Sequence, residues 1–147
     1  MNEEEKRHQQ RMQKKKALID AKVAKATEER GVLIVLSGPG KGKSSSGFGT
    51  VIRCIGHGYK AAVVQFIKGT WDCGERNFLQ QRCPEVPFIV MGSGFTWETQ
   101  SRERDREAAQ QAWQQTKTLL NDASLHLVLL DELTYILKYG YIDAEEV

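Results

Sequence analysis

The sequence predicts an α/β fold in which a mostly parallel sheet carries helices on both faces. Three observations support this prediction. An apolar run at residues 32–36 enters a glycine-rich turn that leads into a helical pattern. Two more apolar runs, at residues 61–67 and 125–130, are separated from it and from each other by helical sequence, as the strands of a parallel sheet are. The chain has 147 residues and 40% hydrophobic composition, enough for the core of one domain.

A polar arm precedes this domain. Residues 1–30 contain nine Lys or Arg and six Asp or Glu but few apolar side chains, which predicts a polar helical arm, and residues 31–147 form the domain itself. Such a helix buries too little surface to be held by a core, so we expect it to be frayed or docked on a partner, a ligand or the outside of the fold. A simple solvated charge run is the alternative.

The turn after residues 32–36 has the composition of a phosphate-binding loop. Glycine lets backbone amides approach phosphate oxygens, and the N-terminus of the following helix favours negative charge. Lys43 then supplies a positive charge, and Ser44 a hydroxyl for Mg²⁺. The sequence therefore predicts a P-loop (RecA-like) fold that binds the triphosphate of ATP. A glycine-rich strand-to-helix turn without nucleotide is the alternative.

The loop is a variant of the usual pattern. Gly38 and Gly42 enclose three residues instead of four, Ser37 stands in place of the usual first glycine, and Lys41 adds a second cation. We call residues 38–45 the phosphate loop.

Apolar spacing predicts the next elements. A helix after the loop presents one stripe to the sheet and ends near Gly56 and Gly58, and residues 61–67 then form a buried strand, which completes a right-handed βαβ unit with residues 32–36. The stripe consists of Phe48, Val51, Ile52 and Ile55.

The second half of the chain continues this alternation. Residues 68–87 are predicted to be a long loop, residues 88–91 a short strand and residues 101–121 a long helix. Ala109, Trp113, Thr116 and Leu120 form the apolar face of that helix.

Two acids follow the strand at residues 125–130. Asp131 and Glu132 lie at its carboxyl end, where doubly wound sheets bind ligands, and either acid is a candidate to hold Mg²⁺ directly or through water. Capping of the next helical turn is the alternative role. Asp143 and Glu146 form a capping-box pattern at the last residues, so we expect a C-terminally truncated domain that lacks a helix and at least one strand.

A glycine-hinged aromatic loop follows the strand at residues 88–91. Phe95 and Trp97 are separated by one residue at the nucleotide end of the predicted sheet, where they could shield a flat apolar ligand from water. Ordinary core packing is the alternative for both side chains.

Charge and cysteine content narrow the class of protein. The net charge is +2, and no basic stripe with interleaved aromatics is present, so we expect no nucleic-acid partner. We expect a cytoplasmic protein without a membrane partner, because the sequence shows neither a signal core nor a run long enough to cross a bilayer. Three cysteines without a C-x-x-C pair suit a reducing compartment, and Cys54 with His57 lacks the second pair that a zinc site needs.

Five motifs in order give the chain a family resemblance. They are GPGKGKSS at 38–45, VVQFIKGTW at 63–71, GERN at 74–77, GFTW at 94–97 and LLDELTY at 129–135. Together they resemble the P-loop type of ATP:corrinoid adenosyltransferase. The resemblance implies transfer of the 5′-deoxyadenosyl group of ATP to the Co(I) centre of a corrinoid, with release of triphosphate.

The resemblance also implies residue roles and partners. The triphosphate would be bound by Gly38, Pro39, Gly40, Lys41, Gly42, Lys43, Ser44 and Ser45. Ser44 and Glu132 would serve Mg²⁺ with help from Asp131, and Phe95 and Trp97 would lie under the corrin. The family's nucleotide lies reversed in the loop, which turns its C5′ toward the corrin. The family is homodimeric, its N-terminal helix can cover the corrinoid site, and a flavin-type electron donor protein is a further expected partner.

Two other functions remain open from the residues alone. A generic P-loop phosphotransferase would use a hydroxyl acceptor at the γ-phosphate and release ADP. A RecA-like nucleic-acid module would contact phosphates through Lys and Arg and show steep salt dependence.

Overall fold

The computed structural model describes residues 2–67, 72–92 and 102–147. The chain divides into two compact units, one ending at Val35 and the other beginning at Leu36. Among the described residues, no helix combines the length and apolarity needed to cross a membrane.

The first unit contains one helix, α1 (Glu3–Lys25). Asn2 and Glu5 form a reciprocal capping box at its start: the Glu5 amide donates to Asn2 Oδ1, and the Asn2 amide donates to Glu5 Oε2. No residue of α1 is buried. The helix therefore owes its structure to its cap and helix-forming side chains rather than to packing within this unit.

The strand predicted at residues 32–36 is wrong. This segment has no regular structure, and its five aliphatic side chains are exposed by between 46% and 89%. An apolar run shows only that a segment could be buried. A strand also needs a neighbouring strand to pair with its backbone N–H and C=O groups. None of the described strands pairs with residues 32–36. The predicted βαβ unit between residues 32–36 and 61–67 is therefore not formed.

The second unit alternates helices and strands. In chain order these are α2 (Lys43–Gly56), β1 (Ala61–Gln65), α3 (Gly74–Arg82), β2 (Phe88–Val90), α4 (Arg102–Leu120), β3 (Leu127–Asp131), α5 (Leu133–Lys138) and a 3₁₀ turn (Ala144–Glu146).

The three strands form one parallel sheet in the order β2-β1-β3. The central strand β1 is buried along its whole length, whereas most of β3 is half-buried, as suits an edge strand. In register, Gln65 lies opposite Val90 on one side and Asp131 on the other.

Helices cover both faces of the sheet, each over its own apolar cluster. On one face, α2 and α3 pack over Phe48, Val51, Ala61, Val63, Leu79 and Val86. On the other face, α4, α5 and the C-terminal residues pack over Val64, Phe66, Ile67, Met91, Ala109, Ala112, Trp113, Ile136, Tyr141 and Ile142. The alternation of β1 side chains between the two clusters confirms the predicted α/β fold with a parallel sheet.

Several local predictions need correction. Within the loop predicted at residues 68–87, residues 74–82 form α3, which periodicity could not reveal because Leu79 is its only buried residue. Ile52 and Leu120 are 45% and 53% exposed, so neither belongs to a buried stripe. Asp143 makes no side-chain cap, and the residues after it form a 3₁₀ turn.

Candidate active site

The phosphate loop owes its path to two glycines in the left-handed region. Gly38 has φ 127° and Gly42 has φ 102°, values that L side chains rarely adopt. Gly42 is also the N-cap of α2, and no side chain caps the helix there. The first amides of α2 are therefore available to an anion, and the helix dipole favours negative charge at the same place.

Lys43 folds back over the loop that precedes it. Its Nζ donates to the carbonyl oxygens of Gly38 at 2.7 Å and Gly40 at 2.6 Å. An ammonium group has three donors, so these two bonds position the charge inside the curve of the loop and leave a donor for a ligand. Lys41 is exposed on the same loop and gives it a second positive charge.

Ser44 connects the phosphate loop to the edge of the sheet. Its hydroxyl donates to Asp131 Oδ1 at 2.9 Å, across a sequence separation of 87 residues. Ser44 lies in the first turn of α2 and Asp131 is the last residue of β3, so the packing of this helix on this strand brings the two together. The structure thus joins two of the residues that the sequence singled out for a metal.

Sequence reasoning missed Gln65, which contacts the same carboxylate. Its Nε2 donates to Asp131 Oδ2 at 2.9 Å, and the residue is fully buried. The available signal was a single amide side chain inside an otherwise apolar run, at the carboxyl end of a strand. A polar residue in that position is expected to meet the ends of neighbouring parallel strands.

Glu132 adopts an unusual backbone conformation. It is the N-cap of α5 with φ 63° and ψ 22°, yet its side chain makes no capping hydrogen bond. A non-glycine residue in this region is strained, and such strain is found most often at functional sites.

The remaining predicted residues have different surroundings. Pro39 and Ser45 are exposed on the phosphate loop. Phe95 and Trp97 lie outside the described residues.

The oxygen atoms at this site suit Mg²⁺. Mg²⁺ takes hard oxygen ligands and is usually held by one or two carboxylates together with substrate phosphates. Ser44 and Asp131 supply a hydroxyl and a carboxylate beside the phosphate loop. In the described ranges, no group of three or more His, Cys, Asp or Glu forms a metal cage, and a cation shared with a triphosphate does not require one.

A separate cavity of about 420 Å³ lies between α4 and the C-terminal residues. Trp113 and Tyr141 line it, and both belong to the apolar cluster on the face opposite α2. It therefore does not belong to the phosphate loop.

Comparisons with known proteins show the family to which the chain belongs. A family described as ATP:corrinoid adenosyltransferase BtuR/CobO/CobP matches residues 29–147, and one described as Cob(I)alamin adenosyltransferase N terminal matches residues 1–23. The corrinoid adenosyltransferase of Escherichia coli K12 is 55% identical over 96% of this chain and 71% of its own length. That of Pseudomonas aeruginosa is 53% identical over 99% of this chain and 71% of its own length. The corrinoid adenosyltransferase CobA of Salmonella typhimurium is 55% identical over 96% of this chain and 71% of its own length. The match over nearly the whole chain shows that this protein belongs to the ATP:corrinoid adenosyltransferase family.

Proposed function

We propose that this chain transfers the 5′-deoxyadenosyl group of ATP to the Co(I) centre of a corrinoid and releases triphosphate, in adenosylcobalamin biosynthesis and corrinoid salvage. The family membership supports the choice of substrates. The observation that carries the ATP half of the proposal is the hydrogen bond from Ser44 to Asp131. It joins the uncapped start of α2 to a carboxylate at the carboxyl edge of a parallel sheet, and both features favour a nucleotide triphosphate with its cation.

The reaction makes one bond and breaks one. The electron pair of Co(I) attacks C5′ of ATP, a cobalt–carbon bond forms, and the C5′–O bond breaks with its electron pair passing to the triphosphate. No proton is transferred, so the site needs no general base. The protein has to align cobalt, C5′ and the leaving oxygen, and to stabilise the charge that develops on the triphosphate.

Residues 38–45 supply that stabilisation. The uncapped start of α2 and the Lys43 ammonium belong to the same short loop, and Lys41 adds a second positive charge to it. When triphosphate binds, its oxygens compete with the Gly38 and Gly40 carbonyls for the ammonium. Because anionic acceptors form stronger hydrogen bonds than neutral carbonyls, we expect the lysine to turn toward the ligand.

Ser44, Asp131 and Glu132 are the residues that would hold Mg²⁺. The cation would neutralise the negative charge of the triphosphate. In our proposal, the Ser44 hydroxyl and the Asp131 carboxylate orient this contact, because they are already fixed to each other. Glu132 follows directly after Asp131 in a strained conformation, which supports a functional role for its side chain.

Phe95 and Trp97 are proposed to lie under the corrin. Cobalt in cob(II)alamin is hard to reduce while an axial ligand donates electron density to it. Two aromatic side chains in the ligand's place would raise the reduction potential and favour the Co(I) nucleophile. The sequence GFTW at 94–97, in a family that acts on corrinoids, supports this role.

We also propose the two protein partners that the resemblance to the family implies. We propose a homodimer in which α1, which has no buried residue of its own, covers the corrinoid site. A flavin-type protein would supply the electron. A reducing cytoplasm would favour Co(I), and it is consistent with three free cysteines among the described residues.

Product analysis tests the proposal against a phosphotransferase. The chain is incubated with ATP, Mg²⁺ and chemically reduced cobalamin, and the visible spectrum and the phosphate products are followed together. Adenosyl transfer yields an alkylcobalamin spectrum and one triphosphate per cobalamin. Release of ADP without a spectral change would reject adenosyl transfer in favour of attack on the γ-phosphate.

A further inference from the structure

We propose that Gln65 is a positioning residue of this site, which fixes the Asp131 carboxylate and thereby sets the affinity for the cation that accompanies ATP. The inference rests on the proposed function for the identity of the nucleotide. It assigns a role to a residue that the phosphate loop does not contain.

The sheet itself places the two side chains together. Gln65 and Asp131 are register partners on the parallel strands β1 and β3, so their side chains leave the same face of the sheet. That face is the one covered by α2, because Ala61 and Val63 of the same strand pack with Phe48. Both side chains therefore lie under the helix that begins at the phosphate loop.

The hydrogen bonds define the direction of the carboxylate. An ionised carboxylate only accepts, so the group that contacts it from Gln65 must be the NH₂ end of the amide. Gln65 Nε2 donates to Oδ2 and the Ser44 hydroxyl donates to Oδ1, each at 2.9 Å. The two donors contact opposite oxygens, so loss of the amide would remove one of the bonds that hold the carboxylate in this direction.

The orientation of Ser44 matters for a cation. A hydroxyl has one hydrogen to donate and two lone pairs. When Oδ1 takes the hydrogen, the hydroxyl turns its oxygen and not its hydrogen toward a metal ion. Gln65 would thus act on the cation through Asp131 and Ser44, in the way that outer partners orient metal ligands in other sites.

The oxygen atom of the Gln65 amide lacks a hydrogen-bond donor among the described residues. Oε1 is buried and has no hydrogen-bond partner among the residues that the structure describes. A buried acceptor without a donor is destabilising, and a ligand that brings a donor removes that cost. Ionised phosphates offer only acceptors, whereas water in the shell of a hydrated divalent cation offers donors. Because Oε1 has almost no exposed surface, a cation-bound water can reach it only when the side chains around it move on ligand binding.

Gln65→Met tests this role, because methionine has a similar length and no hydrogen-bonding amide. ATP binding is measured by calorimetry without corrinoid, over a series of Mg²⁺ concentrations and also without a divalent cation. We expect the half-saturating Mg²⁺ concentration to rise about 10- to 100-fold. Affinity for metal-free ATP should change less than about twofold, because the phosphate loop is untouched.

Two controls separate positioning from stability. Val63→Ala removes a buried side chain from the same strand and face but no hydrogen bond, so it should lower the thermal unfolding midpoint without moving the Mg²⁺ dependence. In an Asp131→Ala background, Gln65→Met should add little, because the carboxylate through which it acts is gone. Gln65→Asn, whose amide is one carbon shorter, serves as the second variant if the methionine protein does not fold.

The two proposals fail in different ways. If the unmodified chain transfers adenosyl and Gln65→Met leaves the Mg²⁺ dependence unchanged, the role of Gln65 is wrong and the function stands. If the unmodified chain releases ADP in place of triphosphate, the function is wrong whatever Gln65 does.

Discussion

Gly47 of α2 lies directly against Leu129 of β3. A Cβ atom added at Gly47 would sit 2.8 Å from Leu129 Cδ1, closer than side-chain carbons approach in folded proteins. Gly47 is three residues after Ser44, and Leu129 is two residues before Asp131 on the same face of the strand. The contact between Gly47 and Leu129 therefore lies on the same helix and strand as the hydrogen bond from Ser44 to Asp131.

Gly47→Ala is expected to weaken both the fold and the site. Overpacking costs about 1–3 kcal/mol, and alanine returns up to about 1 kcal/mol through its better helix propensity. We expect a net loss of stability in urea unfolding and a higher Mg²⁺ requirement for ATP binding. Gly49→Ala is the matched control, because a Cβ there meets nothing within 4 Å.

A smaller side chain at position 129 should relieve the clash that Gly47→Ala creates. Leu129→Val shortens the side chain that Gly47→Ala would strike, so the double variant should recover part of the lost stability and Mg²⁺ affinity. Strict additivity of the two changes would show that the contact does not limit the spacing of α2 and β3.

Lys43→Ala should weaken ATP binding by about 10- to 100-fold, because hydrogen bonds from a charged donor contribute about 1.5–3 kcal/mol. Lys41→Ala is the comparison on the same exposed loop. Because no hydrogen bond among the described residues holds the Lys41 side chain in one position, Lys41→Ala should change ATP affinity less than about threefold. Calorimetry with ATP measures both, and equal losses would mean that loop charge alone, not the position of the Lys43 ammonium, carries the binding.

Trp97→Ala should affect reduction more than alkylation. If the side chain displaces the axial ligand, the variant loses activity when cob(II)alamin and a reductant are supplied but retains most of it with chemically prepared Co(I). Phe95→Ala should show the same pattern. Parallel initial rates with both cobalamin forms measure the split, and equal losses on both would remove the case for a role in reduction.

Tyr141 predicts how stability changes at high pH. Burial, with the nearby Asp105 charge and the hydrogen bond that Tyr141 donates to it, raises the pKa of this phenol above its ordinary value. The unfolded chain loses the proton near pH of about 10 while the folded chain retains it, so stability is fully present below that pH and falls above it.

Tyr141→Phe removes this contribution. Thermal unfolding midpoints between about pH 9 and about pH 11 should fall less steeply in the variant than in the unmodified chain. Identical slopes would show that the phenol does not contribute to the pH dependence of folding.

Sequence periodicity predicted the helices that bury one apolar face and the strands that are apolar along their whole length. The strands β1, β2 and β3 and the helices α2 and α4 bury enough apolar side chains to leave a pattern. Helix α3 buries only Leu79 and left none. Residues 32–36 have a strand's composition, yet pairing depends on a neighbouring strand, which local sequence does not specify.

The sequence predicted the residues of the phosphate loop but not the side-chain contacts that join this loop to the sheet. The phosphate loop is local, so its glycines, Lys43 and Ser44 could be read from adjacent residues. The contact of Ser44 with Asp131 rather than Glu132, and the presence of Gln65, depend on the register of β1 with β3. Register is a tertiary property, and one residue of slip would turn Gln65 to the opposite face.

The fate of the ATP C5′ carbon distinguishes adenosyl transfer from phosphoryl transfer. ATP labelled with ¹³C at C5′ is mixed with the chain, Mg²⁺ and reduced cobalamin, and the products are examined by ¹³C NMR and by phosphate analysis. We expect the label to become bonded to cobalt, with an equimolar amount of triphosphate. Label that stays in the nucleotide while ADP accumulates would contradict adenosyl transfer.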